Sequence, residues 1–170
     1  AAFQAPAQPK TLEVEKLKDN LFLLKGGGGN TAAFVTATGV VVVDTKVPGW
    51  GQVLLDSIKT VTDKPVTMVI NTHTHYDHDS GQAEFPATVE VVAHANTKTY
   101  LEQSNPVYGL QTGPQPNIFE EHGGRGYPTR TFTDTLTIGQ GADRIDLHYF
   151  GRAHTGGDAY VVFPALRVMH

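Results

Sequence analysis

Three histidines and an aspartate crowd into the six residues His73-Thr74-His75-Tyr76-Asp77-His78, directly after the apolar run at residues 66–70. A short apolar run of this kind is typical of a buried strand, and ligands of open α/β sheets bind at the carboxyl ends of such strands. Imidazole and carboxylate are ligands of Zn²⁺ and similar ions. A chain with 8 His would contain the pattern by chance about 0.001 times. The segment predicts a metal site at a strand end.

Strand and helix patterns alternate over the first hundred residues, and strand patterns alone follow. This order indicates a mixed α/β fold in which helices cover sheets. A continuous run of valines at 40–43 is expected in a strand that is covered on both faces. The predicted helices are residues 48–62 and 96–103, the second capped by Asn96. The predicted strands are 12–24 (a hairpin), 31–35, 39–44, 66–70, 89–93, 131–138, 143–150 and 159–163.

The composition disfavours some classes of partner and of metal ligand. The net charge is −4, and the lysines and arginines are scattered, so neither a nucleic-acid groove nor an anionic membrane surface is expected as a partner. The longest strongly apolar run, Val40 to Val43, is too short to span a bilayer. The chain has no cysteine, which restricts any metal ligands to nitrogen and oxygen.

Spacing suggests how the ligands are shared. His73 and His75 lie on the same side of an extended segment, so both can face one ion. The best candidate for a third ligand is His154, which follows a strand and is framed by glycines. Asp77 and His78 come after the chain turns and are predicted to face a second ion. Asp44 ends a buried strand and is interpreted as a partner of the histidine loop, with helix capping nearly as plausible.

A set of three histidines leaves zinc one open position, which distinguishes catalytic from structural sites. Water bound there loses a proton near pH ~7 and becomes a nucleophile. A structural or adventitious metal site is the alternative interpretation. His94, at another strand end, is interpreted as either pocket lining or plain surface.

These residues resemble the metallo-β-lactamase superfamily. Asn71-Thr72-His73-Thr74-His75-Tyr76-Asp77-His78 is similar to its signature, and Val41-Val42-Val43-Asp44-Thr45 to the end of an early strand. Gly28-Gly29-Asn30-Thr31 resembles its first turn, and Gly151-Arg152-Ala153-His154-Thr155 the segment that supplies a third histidine. The resemblance departs at Asp79-Ser80-Gly81, where the family commonly has x-Gly-Gly after the signature.

The resemblance implies a four-layer αββα sandwich of two similar halves, of which this chain would be mainly the N-terminal portion. It implies that His73, His75 and His154 hold a first ion and that Asp77 and His78 belong to a second. The family continues to a bridging Asp and a later His. We therefore expect residues 11–170 to form a C-terminally incomplete domain, and a homo-oligomer is one way to compensate for the missing part. Residues 1–10 are expected to be a disordered lead.

The implied function is zinc-dependent hydrolysis, with one or two ions, of a small-molecule substrate, namely a small ester, lactone, thioester or β-lactam. Asp77 would also orient the attacking water. The alternatives are a mono-iron persulfide dioxygenase of the same fold, for which the ion is Fe, and a catalytically inactive truncated domain. The small-residue and proline-rich lead resembles what remains after a signal peptide is removed, so we expect a periplasmic or secreted protein, and otherwise a cytoplasmic one.

Overall fold

Two β-sheets pack face to face in the computed structural model, which describes residues 9–103 and 117–170. The predicted lead lies outside the described residues at positions 1–8, while Lys10 is described and donates to the Gly49 carbonyl. The strands are β1 Glu13–Lys18, β2 Leu21–Lys25, β3 Thr31–Val35, β4 Val40–Val43, β5 Val66–Ile70, β6 Glu90–His94, β7 Arg130–Phe132, β8 Thr135–Ile138, β9 Ile145–His148, β10 Tyr160–Phe163 and β11 Val168–Met169. The α-helices are α1 Gly51–Lys59, α2 Tyr76–Asp79, α3 Ala95–Glu102 and α4 Ile118–Glu121.

Strand direction places the polar strand ends together. The larger sheet has seven strands in chain order, β1 to β7, and the smaller has the order β11-β10-β9-β8. Strands β1 to β4 are antiparallel neighbours, whereas β4 to β7 run parallel to one another. The carboxyl ends of β4, β5 and β6 therefore meet at one edge, where a ligand site is expected in such sheets.

The main core lies between the two sheets. Phe34 and Ile70 of the larger sheet pack with Leu147 and Phe163 of the smaller one, all nearly inaccessible to solvent. A second cluster on the outer face joins Leu54 and Ile58 of α1 to alternate valines of β4. All four residues of β4 are buried, which confirms the prediction that both faces of this strand are covered. The described layers are thus helix, sheet and sheet.

The predicted strand at 131–138 is wrong as a single element. It is two strands, β7 and β8, which belong to different sheets. The chain crosses between the sheets at Thr133 and Asp134, whose carbonyls accept hydrogen bonds from His94 Nε2 (2.9 Å) and the Tyr149 amide (2.8 Å). Because β-branched residues continue on both sides of this crossing, period-2 patterning does not reveal it.

The helix boundaries also differ from the prediction. Helix α1 is shorter than the predicted 48–62, because Gly49 has a left-handed backbone (φ +78°) that keeps the preceding residues out of the helix. Helix α3 begins one residue early, and its cap is His94 rather than Asn96. The His94 Nδ1 atom accepts the Asn96 amide at 3.1 Å, and the residue is 3% exposed. His94 is therefore a buried capping residue, neither pocket lining nor surface.

Among the described residues, no helix is both long enough and apolar enough to cross a bilayer. The expected periplasmic or secreted location and the possible homo-oligomer stay predictions.

Candidate metal centre

Loops from both sheets bring three imidazoles together. His73 and His75 follow β5, and His154 lies in the loop between β9 and β10. One ring nitrogen from each lies within 4.8 Å of the other two. The His73 Nε2 and His75 Nδ1 atoms are 3.0 Å apart, and the His154 ring centroid is 4.5 Å from that of His75. The three predicted ligands of the first ion therefore converge on one point.

The environment of this triad changes from interior to solvent. His73 is 8% exposed, His75 is half-buried, and His154 is exposed. A small molecule can therefore reach the cluster from the His154 side, while His73 forms its floor.

Asp158 organises the loop that carries His154. Its carboxylate accepts the Thr155 amide at 2.8 Å and the Thr155 hydroxyl at 2.8 Å, and the Ala153 amide at 3.3 Å. Burial alone would raise the pKa of Asp158, but these hydrogen bonds outweigh it and lower the pKa. The loop is also tied to the histidine segment, because the Ala159 amide donates to the Thr72 carbonyl at 2.7 Å.

Helix α3 supports the same loop from the other side. Asn96 Nδ2 donates to the Gly156 carbonyl at 2.5 Å, and the Thr97 hydroxyl donates to the Gly157 carbonyl at 3.0 Å. A Cβ on Gly157 would lie 2.4 Å from the Thr97 hydroxyl oxygen. Glycine is therefore needed there for the loop to approach the helix this closely.

Asp44 sets the protonation of two histidines. Its Oδ2 atom accepts the Thr72 hydroxyl and His78 Nδ1, each at 2.7 Å, and its Oδ1 accepts the Thr72 amide at 2.8 Å. The single Thr72 hydroxyl proton thus goes to Asp44, so the hydroxyl oxygen accepts from His73 Nδ1 at 2.9 Å. Both His73 and His78 are left with an unprotonated Nε2, the form that binds a metal. The interpretation of Asp44 as a partner of the histidine loop agrees with these contacts.

Asp77 and His78 lie beside the triad. The His78 ring centroid is 4.3 Å from that of His73, and His78 Nε2 is 3.6 Å from a carboxylate oxygen of Asp77. Within the described ranges, a second group able to hold an ion comprises Asp44, His73 and His78. Asp77 belongs to neither group of three, although its carboxylate adjoins the His78 nitrogen that would face a second ion.

Burial keeps the central ligands neutral. Desolvation, assisted by the neighbouring His78, lowers the pKa of His73 to about 4. Desolvation and His154 also lower the pKa of His75. Burial opposes the charged form of His78 too, but its hydrogen bond to Asp44 and the nearby carboxylates raise its pKa. His73 is therefore neutral at neutral pH, and its ring can donate an electron pair to a metal.

The donor set fits a zinc-like ion. Neutral imidazole nitrogens that converge from three directions, one of them backed by a threonine and an aspartate, are the usual arrangement around such a metal. Imidazole is a ligand of iron as well as of zinc.

Sequence reasoning missed two residues near this centre. His170 pairs with Val161 through backbone hydrogen bonds, and its Nε2 is 4.0 Å from Asp44 Oδ2. Burial lowers the pKa of His170. Lys46 is completely buried, with both its amine contacts to backbone carbonyls. The position of His170 at a strand end was a usable signal, whereas nothing in the pattern around Lys46 indicates a buried amine.

Comparison with known proteins agrees with this arrangement. The metallo-beta-lactamase superfamily profile matches residues 24–170. The chain belongs to this superfamily. The metallo-beta-lactamase IND-1 of Chryseobacterium indologenes is 27% identical over an alignment of 178 positions, which covers 97% of this chain and 66% of that protein. The rat metallo-beta-lactamase domain-containing protein 1 is 36% identical over 70 residues, which cover 40% of this chain and 28% of that protein.

Solved structures of superfamily members confirm the predicted α/β sandwich. Metallo-beta-lactamase IND-7 superposes with a TM-score of 0.70 at 26% identity, over 95% of this chain and 71% of that one. BJP-1, a subclass B3 metallo-beta-lactamase of Bradyrhizobium japonicum, superposes with a TM-score of 0.68 at 21% identity, over 89% of this chain and 56% of that one. This superfamily member spans 66% or less of the length of the two curated relatives named above.

Proposed function

We propose that this superfamily member is a zinc-dependent hydrolase that attacks the carbonyl of a small ester, lactone, thioester or β-lactam. The proposal rests on one observation: ring nitrogens of His73, His75 and His154 lie within 4.8 Å of one another at a solvent-accessible edge. A zinc ion held by three histidines supplies a nucleophile at neutral pH, because it lowers the pKa of its water to about 7, and it polarises a carbonyl.

The side chains divide the work. His73 and His75 would hold the ion from the buried side, and His154 would hold it from the solvent side. Asp77 is half-buried beside His78, where its carboxylate can accept a hydrogen bond from the attacking water and so orient it. His78, together with Asp77, would serve a second ion. Asp44 and Thr72 hold the His78 and His73 rings in the tautomer whose Nε2 is free of a proton and can bind a metal.

A β-lactam is the first substrate class to test. IND-1, which matches 97% of this chain, is a metallo-beta-lactamase. Lactones, thioesters and simple esters present the same electrophilic carbonyl to the site, so each belongs in the same screen.

The decisive experiment combines metal content with hydrolysis. The chain is incubated with zinc, desalted, analysed by mass spectrometry, and assayed with a chromogenic β-lactam and a chromogenic ester. We expect one or two zinc ions per chain. His73→Ala should remove the ion that supplies the nucleophile and reduce hydrolysis at least about a hundredfold.

His148→Ala is the matched control. His148 lies in β9 with its ring stacked on that of Phe150, outside the two groups of ligands described above. This variant should retain zinc and activity. Undiminished hydrolysis by His73→Ala would contradict the mechanism. Iron retention with oxygen uptake on a persulfide would instead favour the dioxygenase alternative, and retention of no metal would favour the inactive domain.

A further inference from the structure

We propose that Lys46 is a positioning residue for His78, acting through the backbone of Gly29. The inference rests on the proposed function, in which His78 serves a second ion. It assigns a role in the metal centre to the glycine turn, Gly26 to Asn30, which lies between β2 and β3.

The first link joins Lys46 to the glycine turn. The Lys46 side chain is 0% exposed, and its amine donates to the carbonyls of Leu24 and Gly29, each at 2.6 Å. Burial without a directly bonded carboxylate lowers the pKa of this amine to about 8. A buried ammonium is costly unless its hydrogen bonds are satisfied, so the contacts constrain the turn as firmly as they constrain the lysine.

The second link joins the turn to His78. The Gly29 amide donates to the Asp77 carbonyl at 3.0 Å. A Cβ built on Gly29 would lie 2.4 Å from His78 Cε1, a separation that real Cβ atoms do not show. The imidazole therefore lies directly on the Gly29 backbone. Gly29 has an ordinary backbone conformation, so it is the ring, and not a left-handed turn, that excludes a side chain here.

Two constraints then act on one imidazole. The hydrogen bond from His78 Nδ1 to Asp44 fixes one ring atom. Contact with Gly29 prevents the ring from tilting about that bond, and Lys46 prevents Gly29 from moving away. The ligands of the first ion depend on other contacts, because His73 is held by Thr72 and the His154 loop by Asp158.

The test begins with NMR spectroscopy of the metal-free chain. In the wild type, we expect a nuclear Overhauser effect between the Gly29 α-protons and the His78 Cε1 proton. Lys46→Met keeps the length of the side chain but removes its hydrogen bonds, and should abolish this signal while signals between His73 and His75 remain. Lys64→Met is the control, because the Lys64 amine also donates to two backbone carbonyls, Thr36 and Ala37, far from the histidines.

Metal affinity gives the second readout. We expect Lys46→Met to weaken binding of the second Co²⁺ by about tenfold to a hundredfold, the usual effect of losing an outer support, with the first Co²⁺ unchanged. Gly29→Ala should have the same effect, because its methyl group displaces the ring. Gly39→Ala, whose Cβ would meet Thr67 at 2.6 Å at the other end of the sheet, should not.

The possible outcomes distinguish the role of Lys46 from the presence of a second ion. An unchanged Gly29–His78 signal in Lys46→Met would overturn the inference. A wild type that binds one Co²⁺ would contradict the second ion of the proposed function, and the NMR result would still decide the role of Lys46. If Lys46→Met does not give a folded spectrum, Lys46→Leu, which also removes the N–H donors, replaces it under the same criteria.

Discussion

Asp44 and His78 form a partly buried hydrogen bond of 2.7 Å between Oδ2 and Nδ1. The carboxylate is 1% exposed and follows β4, whereas the imidazole belongs to the short helix after β5. Since a carboxylate can only accept, the His78 proton must lie on Nδ1, and Nε2 is left to bind a metal.

We expect Asp44→Asn to weaken binding at the second site by about tenfold to a hundredfold. An amide of the same shape can present its N–H₂ group to Nδ1, which favours the tautomer with the proton on Nε2. Competition with a chromogenic zinc chelator measures the effect. Asp146→Asn, another aspartate that accepts a threonine hydroxyl (2.7 Å from Thr137) but lies away from the centre, should bind zinc like the wild type. Equal affinities for both variants would contradict this account.

The His73 side chain should make the metal-free chain less stable as pH falls from about 6.5 to about 4. His73 has its pKa lowered from the usual 6.5 to about 4, so in this window the unfolded chain binds a proton that the folded chain does not. The loss from His73 is about 2 kcal/mol after allowance for solvent screening. His75 and His170, whose pKa values are also lowered, add to it, while His78 and the buried Asp79, whose pKa values are raised, oppose it.

Urea unfolding at several pH values, with a chelator present, checks this prediction. His73→Asn should have a smaller loss of stability over the same range. A His73→Asn variant that lost as much stability as the wild type over this range would show that His73 is not buried in its neutral form.

Asp158→Ala should lower the affinity for the first ion by about tenfold, because the His154 loop loses its central acceptor. Isothermal titration with zinc measures the change. Asp143→Ala is the matched control, since its carboxylate also accepts a backbone amide (Ala37, 2.8 Å) but in a loop remote from the histidines. Zinc affinity equal to that of the control would show that Asp158 is not needed to position His154.

Phe163→Ala should destabilise the fold by about 3–5 kcal/mol. The Phe163 side chain is 1% exposed, and its ring centroid is 4.9 Å from that of Phe34, so the substitution opens a cavity between the two sheets. Phe150→Ala removes an equal side chain that is 76% exposed and should change stability by about 0.5 kcal/mol or less. Thermal unfolding of both variants separates the effect of burial on stability from the effect of side-chain size.

Local chemistry made the centre of the site predictable. The signature from His73 to His78 combines rare residue types at short spacing, and β4 is so apolar that its burial on both faces follows from composition. His154 was identified as a candidate because it follows a strand and is framed by glycines.

Contacts between distant segments could not be predicted in the same way. The division of 131–138 between two sheets depends on the partners of Thr133 and Asp134, which lie elsewhere in the chain. In the sequence, Lys46 cannot be distinguished from a surface lysine, because its burial depends on contact with the distant glycine turn. His94 caps α3 through a ring nitrogen, a role for which sequence preference favours the smaller polar Asn96.

The first-ion ligands come from two separate layers of the protein, His73 and His75 from the larger sheet and His154 from the smaller one. An ion bound to all three would act as a clasp between the layers, and pulling the sheets apart would require its release. Resistance to unfolding would then depend on the free zinc concentration, with a gain of about 2.7 kcal/mol at a hundred times the Kd. Zinc limitation would weaken the sandwich itself as well as its chemistry.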